Sequence, residues 1–237
     1  MKVRIVFDKE GVNERFKSGI GFSALIGENI LFDTGENWDY LYNNLTLLGR
    51  NISKIKKAVI SHDHWDHTRG LWGLLKRNKG TKVYICPGFT KDFKKQASVL
   101  KGAQKENSSF FEIKKDVYVT GEINGRYNNS KMPEQALVLD TKKGVSVITG
   151  CAHPGIIKML RIVKKQFKRK SFYAVLGGFH LLHKRTSDVR DIIKEFKALG
   201  VKKAGPSHCT GREAEKMFWQ AYRENFIPVK SGSTFVL

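Results

Sequence analysis

Within Ser61-His62-Asp63-His64-Trp65-Asp66-His67, four side chains suited to binding metal, His62, His64, Asp66 and His67, fall inside six consecutive positions. They follow Lys57-Ala58-Val59-Ile60, a short apolar run that reads as a buried strand. The donors therefore sit where a strand ends and a loop begins. On extended backbone His62 and His64 point to the same side. Asp66 and His67 come after the chain has begun to turn, so they reach a second point, and one strand end can serve two neighbouring metal ions. Imidazole suits zinc or iron, and carboxylate adds a hard oxygen ligand. The alternative is a polar loop with chance histidines, but crowded imidazoles and carboxylates repel or desolvate one another unless a cation holds them.

The remaining chemistry follows the same placement. Every histidine except His183, which reads as surface, lies in a loop after a predicted strand, and strand ends on one sheet edge are where α/β proteins gather a site. Thr149-Gly150-Cys151-Ala152-His153 follows one strand, Gly177-Gly178-Phe179-His180 another, and Ser207-His208-Cys209-Thr210 a third. Cys151 reads either as a thiolate ligand or as a small buried residue at a tight turn. Cys209, on extended backbone, would point away from His208 and reads as packing. His180 is open between metal ligand, proton donor, substrate contact and a hydrogen-bonded structural role. The glycines before it would permit close approach of a ligand to the backbone.

His62-x-His64-x-Asp66-His67 resembles the metal-binding signature of the metallo-β-lactamase superfamily, and Gly21-Phe22-Ser23-Ala24-Leu25-Ile26 with Ile30-Leu31-Phe32-Asp33-Thr34-Gly35 looks like its first motif. The resemblance implies a four-layer αβ/βα sandwich and a role for Asp33 in positioning the histidine loop rather than holding metal. Cys151 stands where the superfamily usually has a metal-bridging carboxylate, and His208 matches its last metal-binding histidine. The third-motif histidine expected near Pro133-Glu134-Gln135 is missing, and His153 is the candidate to replace it. Arg69 departs from the pattern, which commonly has a second glycine there, and could narrow the site mouth or bind an anion. The combination of Thr149-Gly150-Cys151-x-His153-x-Gly155, Gly177-Gly178-Phe179-His180-Leu181 and His208-Cys209-Thr210-Gly211 is similar to a subgroup that includes dihydropterin–ribofuranosylaminobenzene-phosphate synthases.

The expected chemistry is that of a dinuclear hydrolase. His62, His64 and His153 would hold one ion and Asp66, His67 and His208 the other, with Cys151 between or beside them. Two zinc ions are expected, with iron or manganese as alternatives. A hydroxide bridging the metals, oriented by Asp66, would attack a phosphoester in line. The same ligands would serve a transferase that joins a pterin diphosphate to an aminobenzene acceptor, or a binding protein that retains metal without turnover.

Composition bounds the partners. Lys and Arg number 43 against 22 Asp and Glu, a formal charge of +21, which favours anionic partners and says nothing about fold. A Lys-rich thermophile surface explains the same excess. Arg161, Lys164, Lys165, Lys168, Arg169 and Lys170 fit a solvated helix face better than a nucleic-acid contact. An anionic small molecule is thus the expected substrate, with nucleic acid less favoured. Three cysteines suggest no disulfide framework. With no apolar signal core after Met1 and no run long enough to span a bilayer, a cytoplasmic location is expected, and the oligomeric state is not legible.

The elements that must carry these loops are strand hairpins followed by strands alternating with helices, twice over, in a single domain over 1–237. Helices are expected over 38–48, 68–76, 156–167 (opened by Pro154), 188–199 (capped by Ser187) and 213–224. The segment 89–107 reads as a helix followed by a loop over the site. Glu122 to Pro133 reads as a substrate lid, Ala174 to Leu176 as a buried strand, Val201 to Ala204 as another, and Cys86 as a small core residue.

Overall fold

Short apolar strands punctuated by glycine, and helices with one apolar face, build two compact units in a computed structural model that describes residues 1–237. One comprises 1–109 with 230–236; the other comprises 110–229 with Leu237. Each has its own large sheet and helices.

The first unit contains β1 (Lys2–Phe7), β2 (Ser23–Ile26), β3 (Ile30–Phe32), α1 (Trp38–Leu47), β4 (Lys57–Val59), α2 (Trp65–Arg77), β5 (Lys82–Ile85), α3 (Lys91–Val99) and β6 (Ala103–Glu106). With the C-terminal strand Thr234–Val236 on the β1 edge, they form a seven-stranded sheet ordered from that strand through β1 to β6. β1 to β3 pair antiparallel and β3 to β6 parallel, as a hairpin followed by three helical crossovers requires. Leu41, Leu45, Leu71, Leu74, Leu75, Val83 and Ile85 fill the core, and Cys86 is wholly buried among them as expected. Asn37 caps α1 by accepting from the Asp39 and Tyr40 amides. The 89–107 segment differs from expectation. After α3 the chain adds β6 as a parallel edge strand rather than a loop, and the polar sequence Ala103-Gln104-Lys105-Glu106 suits a solvated edge.

The second unit contains β7 (Phe111–Lys114), β8 (Val117–Val119), β9 (Arg126–Tyr127), β10 (Ser130–Lys131), β11 (Leu137–Thr141), β12 (Gly144–Thr149), α4 (Ile156–Gln166), β13 (Phe172–Gly178), α5 (Thr186–Ala198), β14 (Lys203–Ser207) and α6 (Arg212–Tyr222). The main sheet runs β14-β13-β12-β11-β8-β7, parallel across β12, β13 and β14. Phe179, Phe196 and Phe218 meet at ring-centroid distances of 5.2–5.5 Å in its core. The expected lid is a small hairpin, β9 with β10. β13 is longer than expected at both ends, starting at Phe172 and taking in Gly177 and Gly178, and β14 lies two residues later than expected at its start. Gly155, at φ 93°, is the N-cap of α4, so Pro154 stands outside the helix; that left-handed turn suits glycine. α5 begins at Thr186 after Arg185, and Ser187 lies inside it with its hydroxyl toward Asp188 rather than capping. No helix is long and apolar enough to cross a membrane.

Candidate metal centre

In the first unit the donors sit at the ends of β3 and β4. Asp33, wholly buried, accepts three hydrogen bonds of 2.7 Å, from the Ser61 amide, the Ser61 hydroxyl and His67 Nδ1. It therefore positions the histidine loop, as expected, and its bond to Nδ1 turns His67 Nε2 toward other groups. That nitrogen lies 3.4 Å from an Asp66 oxygen. His62 has Nδ1 2.8 Å from the Ser61 hydroxyl and Nε2 3.1 Å from His64 Nδ1. Donor atoms of His62 with His64, of His62 with His67, and of Asp66 with His67 lie within 4.8 Å of each other. α2 starts three residues earlier than expected, so Asp66 and His67 belong to its first turn, where an anionic side chain is favoured by the helix dipole. Burial opposes charge on His67, but the Asp33 carboxylate, and then Asp66, hold its imidazolium well above the usual range. Asp63 takes no part: it accepts from the Thr90 amide and hydroxyl. Arg69 stacks over the Trp65 ring, with its guanidinium carbon 4.6 Å from the centroid.

In the second unit the donors stand at the ends of β12, β13 and β14. Cys151, His153 and His180 place ligand atoms within 4.8 Å of one another, and so do Cys151, His208 and Cys209. Glu134, wholly buried, accepts from the Cys151, Ala152 and His153 amides at 2.8–2.9 Å and so fixes the loop that carries two donors. The His153 and His180 rings are 4.5 Å apart, and Tyr127 lies edge-on to both at 5.3 and 6.0 Å. His180 Nδ1 is buried without a hydrogen-bond partner. The hydrogen bond with Cys209 raises the pKa of His180 against the effect of burial. Burial alone would raise that of Cys209, but Cys151, His208 and His180 bring the thiol well below its usual range.

Backbone strain marks the same loops. Asp33, Ala152, His180 and His208 all take left-handed φ angles between 50° and 61°. Each such residue costs roughly 1–3 kcal/mol, and strain of this kind clusters at functional sites.

Both sets fit a divalent cation. Imidazole tautomers are fixed by outer partners, a buried carboxylate stands beside imidazole, and thiols and an unpartnered imidazole nitrogen converge. His62, His64, Asp66 and His67 are thus brought together, as are Cys151, His153 and His208, and His180 joins the second group. Cys209 is a correction: instead of pointing away from His208, its thiol lies within 4.8 Å of the Cys151 and His208 donor atoms, after the turn at His208, φ 50°. The glycine pair is another. Gly177 and Gly178 make room for the Thr149 and Gly150 carbonyls and the Cys209 thiol, not for a ligand: a Cβ on Gly178 would stand 2.6 Å from that sulfur. His183 is exposed as expected. Glu134 and Tyr127 went unread in the sequence. The signal for Glu134 was an acid just before a strand, at the place where the third-motif histidine is missing; Tyr127 offered none.

Residues 19–125 match the family model described as the metallo-beta-lactamase superfamily. The chain is 30% identical to a 7,8-dihydropterin-6-methyl-4-(beta-D-ribofuranosyl)-aminobenzene-5'-phosphate synthase of Methanocaldococcus jannaschii, over 95% of this chain and 92% of the relative. It is 31% identical to an uncharacterised protein of the same organism, over 90% and 91%. A solved metal-dependent hydrolase of the β-lactamase superfamily superposes with a TM-score of 0.85 at 28% identity, covering 100% of this chain and 99% of that one. The metallo-β-lactamase-fold protein YhfI from Bacillus subtilis superposes at 0.70 and 15% identity, covering 99% of each chain, a likeness of fold alone.

Proposed function

The chain belongs to the metallo-β-lactamase superfamily, and from that premise we propose that it is a metal-dependent hydrolase of an anionic, phosphate-bearing ester. His62, His64, Asp66 and His67 of the first unit and Cys151, His153 and His208 of the second are the proposed ligands of two zinc ions, with iron or manganese as alternatives. The observation that carries this reading is the outer support of the donors: Asp33 on His67 and Ser61, and Glu134 on the loop of Cys151 and His153. Such partners fix ligand orientation, and their loss typically weakens metal binding 10–100-fold. Cations bound there supply Lewis acidity and make water a nucleophile near neutral pH.

The residues divide the remaining work. Asp66, 8% exposed, orients the attacking water through its carboxylate. His180 exchanges a proton with the leaving oxygen. A substrate rather than a nucleic-acid partner suits the basic helix, because Arg161 pairs with Glu195 at 2.8 Å, Lys170 with Asp140, and Lys164 with the Lys170 carbonyl at 2.7 Å.

The named relative is a synthase, which favours a second reading: this chain as a transferase that joins a pterin diphosphate to a phosphorylated aminobenzene acceptor. Incubating metal-loaded protein with a phosphoester panel, and separately with pterin diphosphate and acceptor, distinguishes the two. Hydrolysis gives an alcohol or phosphate product that chelation abolishes; transfer gives a coupled product and free diphosphate. Neither product from loaded protein refutes both.

A further inference from the structure

Two cavities of the second unit adjoin. One, of about 510 Å³, is lined by Arg126, Tyr127, His180, Leu182, His183 and Lys184 among others. The other, of about 410 Å³, has apolar walls from Ile156, Ile157, Phe179, Leu181 and Ile192. They share Arg126, His180 and Lys184, and the second adds Lys158. No carboxylate lines either one. Glu134, whose charge reaches His180, has both oxygens engaged by backbone amides. The walls are therefore cationic and aromatic at once.

The part that overhangs His180 is held in place. Asn128 and Asn129, at φ 46° and 62°, form the two-residue turn between β9 and β10; this is the turn geometry that closes tight hairpins. An Arg126 guanidinium nitrogen donates to the Asn129 carbonyl at 2.7 Å, which orients the fork. At the hairpin base, a Cβ on Gly125 would stand 2.9 Å from Pro154 N, so the hairpin lies directly on the donor loop. Lys158 Nζ ties α4 to the Asn124 carbonyl at 2.8 Å. Tyr127 remains 40% exposed on this fixed support, beside the His153 and His180 rings.

We propose that this pair of cavities recognises an aryl phosphate or phosphonate group of the substrate, with Arg126 and Lys184 taking the anion and Tyr127 packing on the ring. A planar guanidinium matches phosphate oxygens in pairs, and a fixed tyrosine offers contact area at little entropic cost. The inference deepens the proposed hydrolase reading by naming the substrate class, and rests on that reading only for what happens after binding.

The test is calorimetric titration of the purified full chain, with and without chelator, using phenylphosphonate, which is not hydrolysed, and inorganic phosphate. Arg126→Gln and Lys184→Gln should each weaken both ligands by about tenfold, the loss of one charge-assisted contact. Tyr127→Ala should weaken phenylphosphonate and leave phosphate unchanged. All three positions are exposed, and circular dichroism confirms that each variant folds. No binding of phenylphosphonate by wild-type protein, or binding by the Arg126 and Lys184 variants within twofold of wild type, overturns the proposal. An unchanged phenylphosphonate affinity in Tyr127→Ala overturns the ring assignment. Metal content of the same samples separates the two ideas. Arg126-dependent binding in protein that takes up no metal leaves this site standing and the hydrolase reading fallen; metal-loaded protein with no Arg126 dependence does the reverse.

Discussion

Replacing Asp33 with Asn isolates its part in the first donor set. The carboxylate is wholly buried and accepts three 2.7 Å bonds. Its backbone lies at φ 52°, a conformation asparagine tolerates as well as aspartate, so the substitution does not confound the result with strain. The amide oxygen can keep the Ser61 N–H, and the Ser61 hydroxyl can turn to accept from the new NH₂. The His67 contact cannot survive as it stands, because NH₂ would face the Nδ1 proton. His67 must move that proton to Nε2, the nitrogen proposed to hold metal. Losing the charge from a buried, hydrogen-bonded group costs about 1.5–3 kcal/mol. The metal-free variant should therefore unfold in urea with about 1.5–3 kcal/mol less stability. Metal affinity, read by competition with a chromogenic chelator, should fall 10–100-fold. Wild-type stability together with wild-type metal affinity in Asp33→Asn would refute the positioning argument.

Other expectations follow from the same geometry. Glu134→Gln puts an NH₂ among three backbone amides and should lower stability by roughly 2–3 kcal/mol in urea melts; an unchanged midpoint would contradict the role given to that carboxylate. Gly178→Ala drives a Cβ into the Gly150 carbonyl and the Cys209 thiol, and should cost more than about 2 kcal/mol. Gly27→Ala, at φ 59° with nothing within 4 Å, should cost only about 1–2 kcal/mol, so equal losses would show that crowding at Gly178 is not the cause. Asp66→Asn should cut kcat about 10²–10⁴-fold on a phosphoester substrate, and full activity would remove Asp66 from the chemistry.

Much of this was legible because it is written locally. Apolar runs ending in glycine or a histidine cluster gave the strands and the loops after them, and the spacing of His62, His64, Asp66 and His67 named the first donor set. The place of Cys151, His153 and His208 after strands put them at one sheet edge, while the reading of Cys151 and His208 as ligands came from the superfamily resemblance. What failed depended on conformations that sequence periodicity does not encode. The thiol of Cys209 is redirected by one left-handed residue, His208. Gly177 and Gly178 serve strand-to-strand approach within β13, which looks in sequence like ligand access. β6 is polar because it is an edge, and polarity reads as loop. Glu134 acts on residues 17 to 19 positions away, a distance at which only the folded sheet reveals the pairing.

The central claim is that these donors bind metal, and elemental analysis of protein purified without added metal tests it most directly. About two divalent ions per chain, zinc foremost, are predicted. Protein that holds none, even after reconstitution with zinc, iron or manganese, would contradict the account.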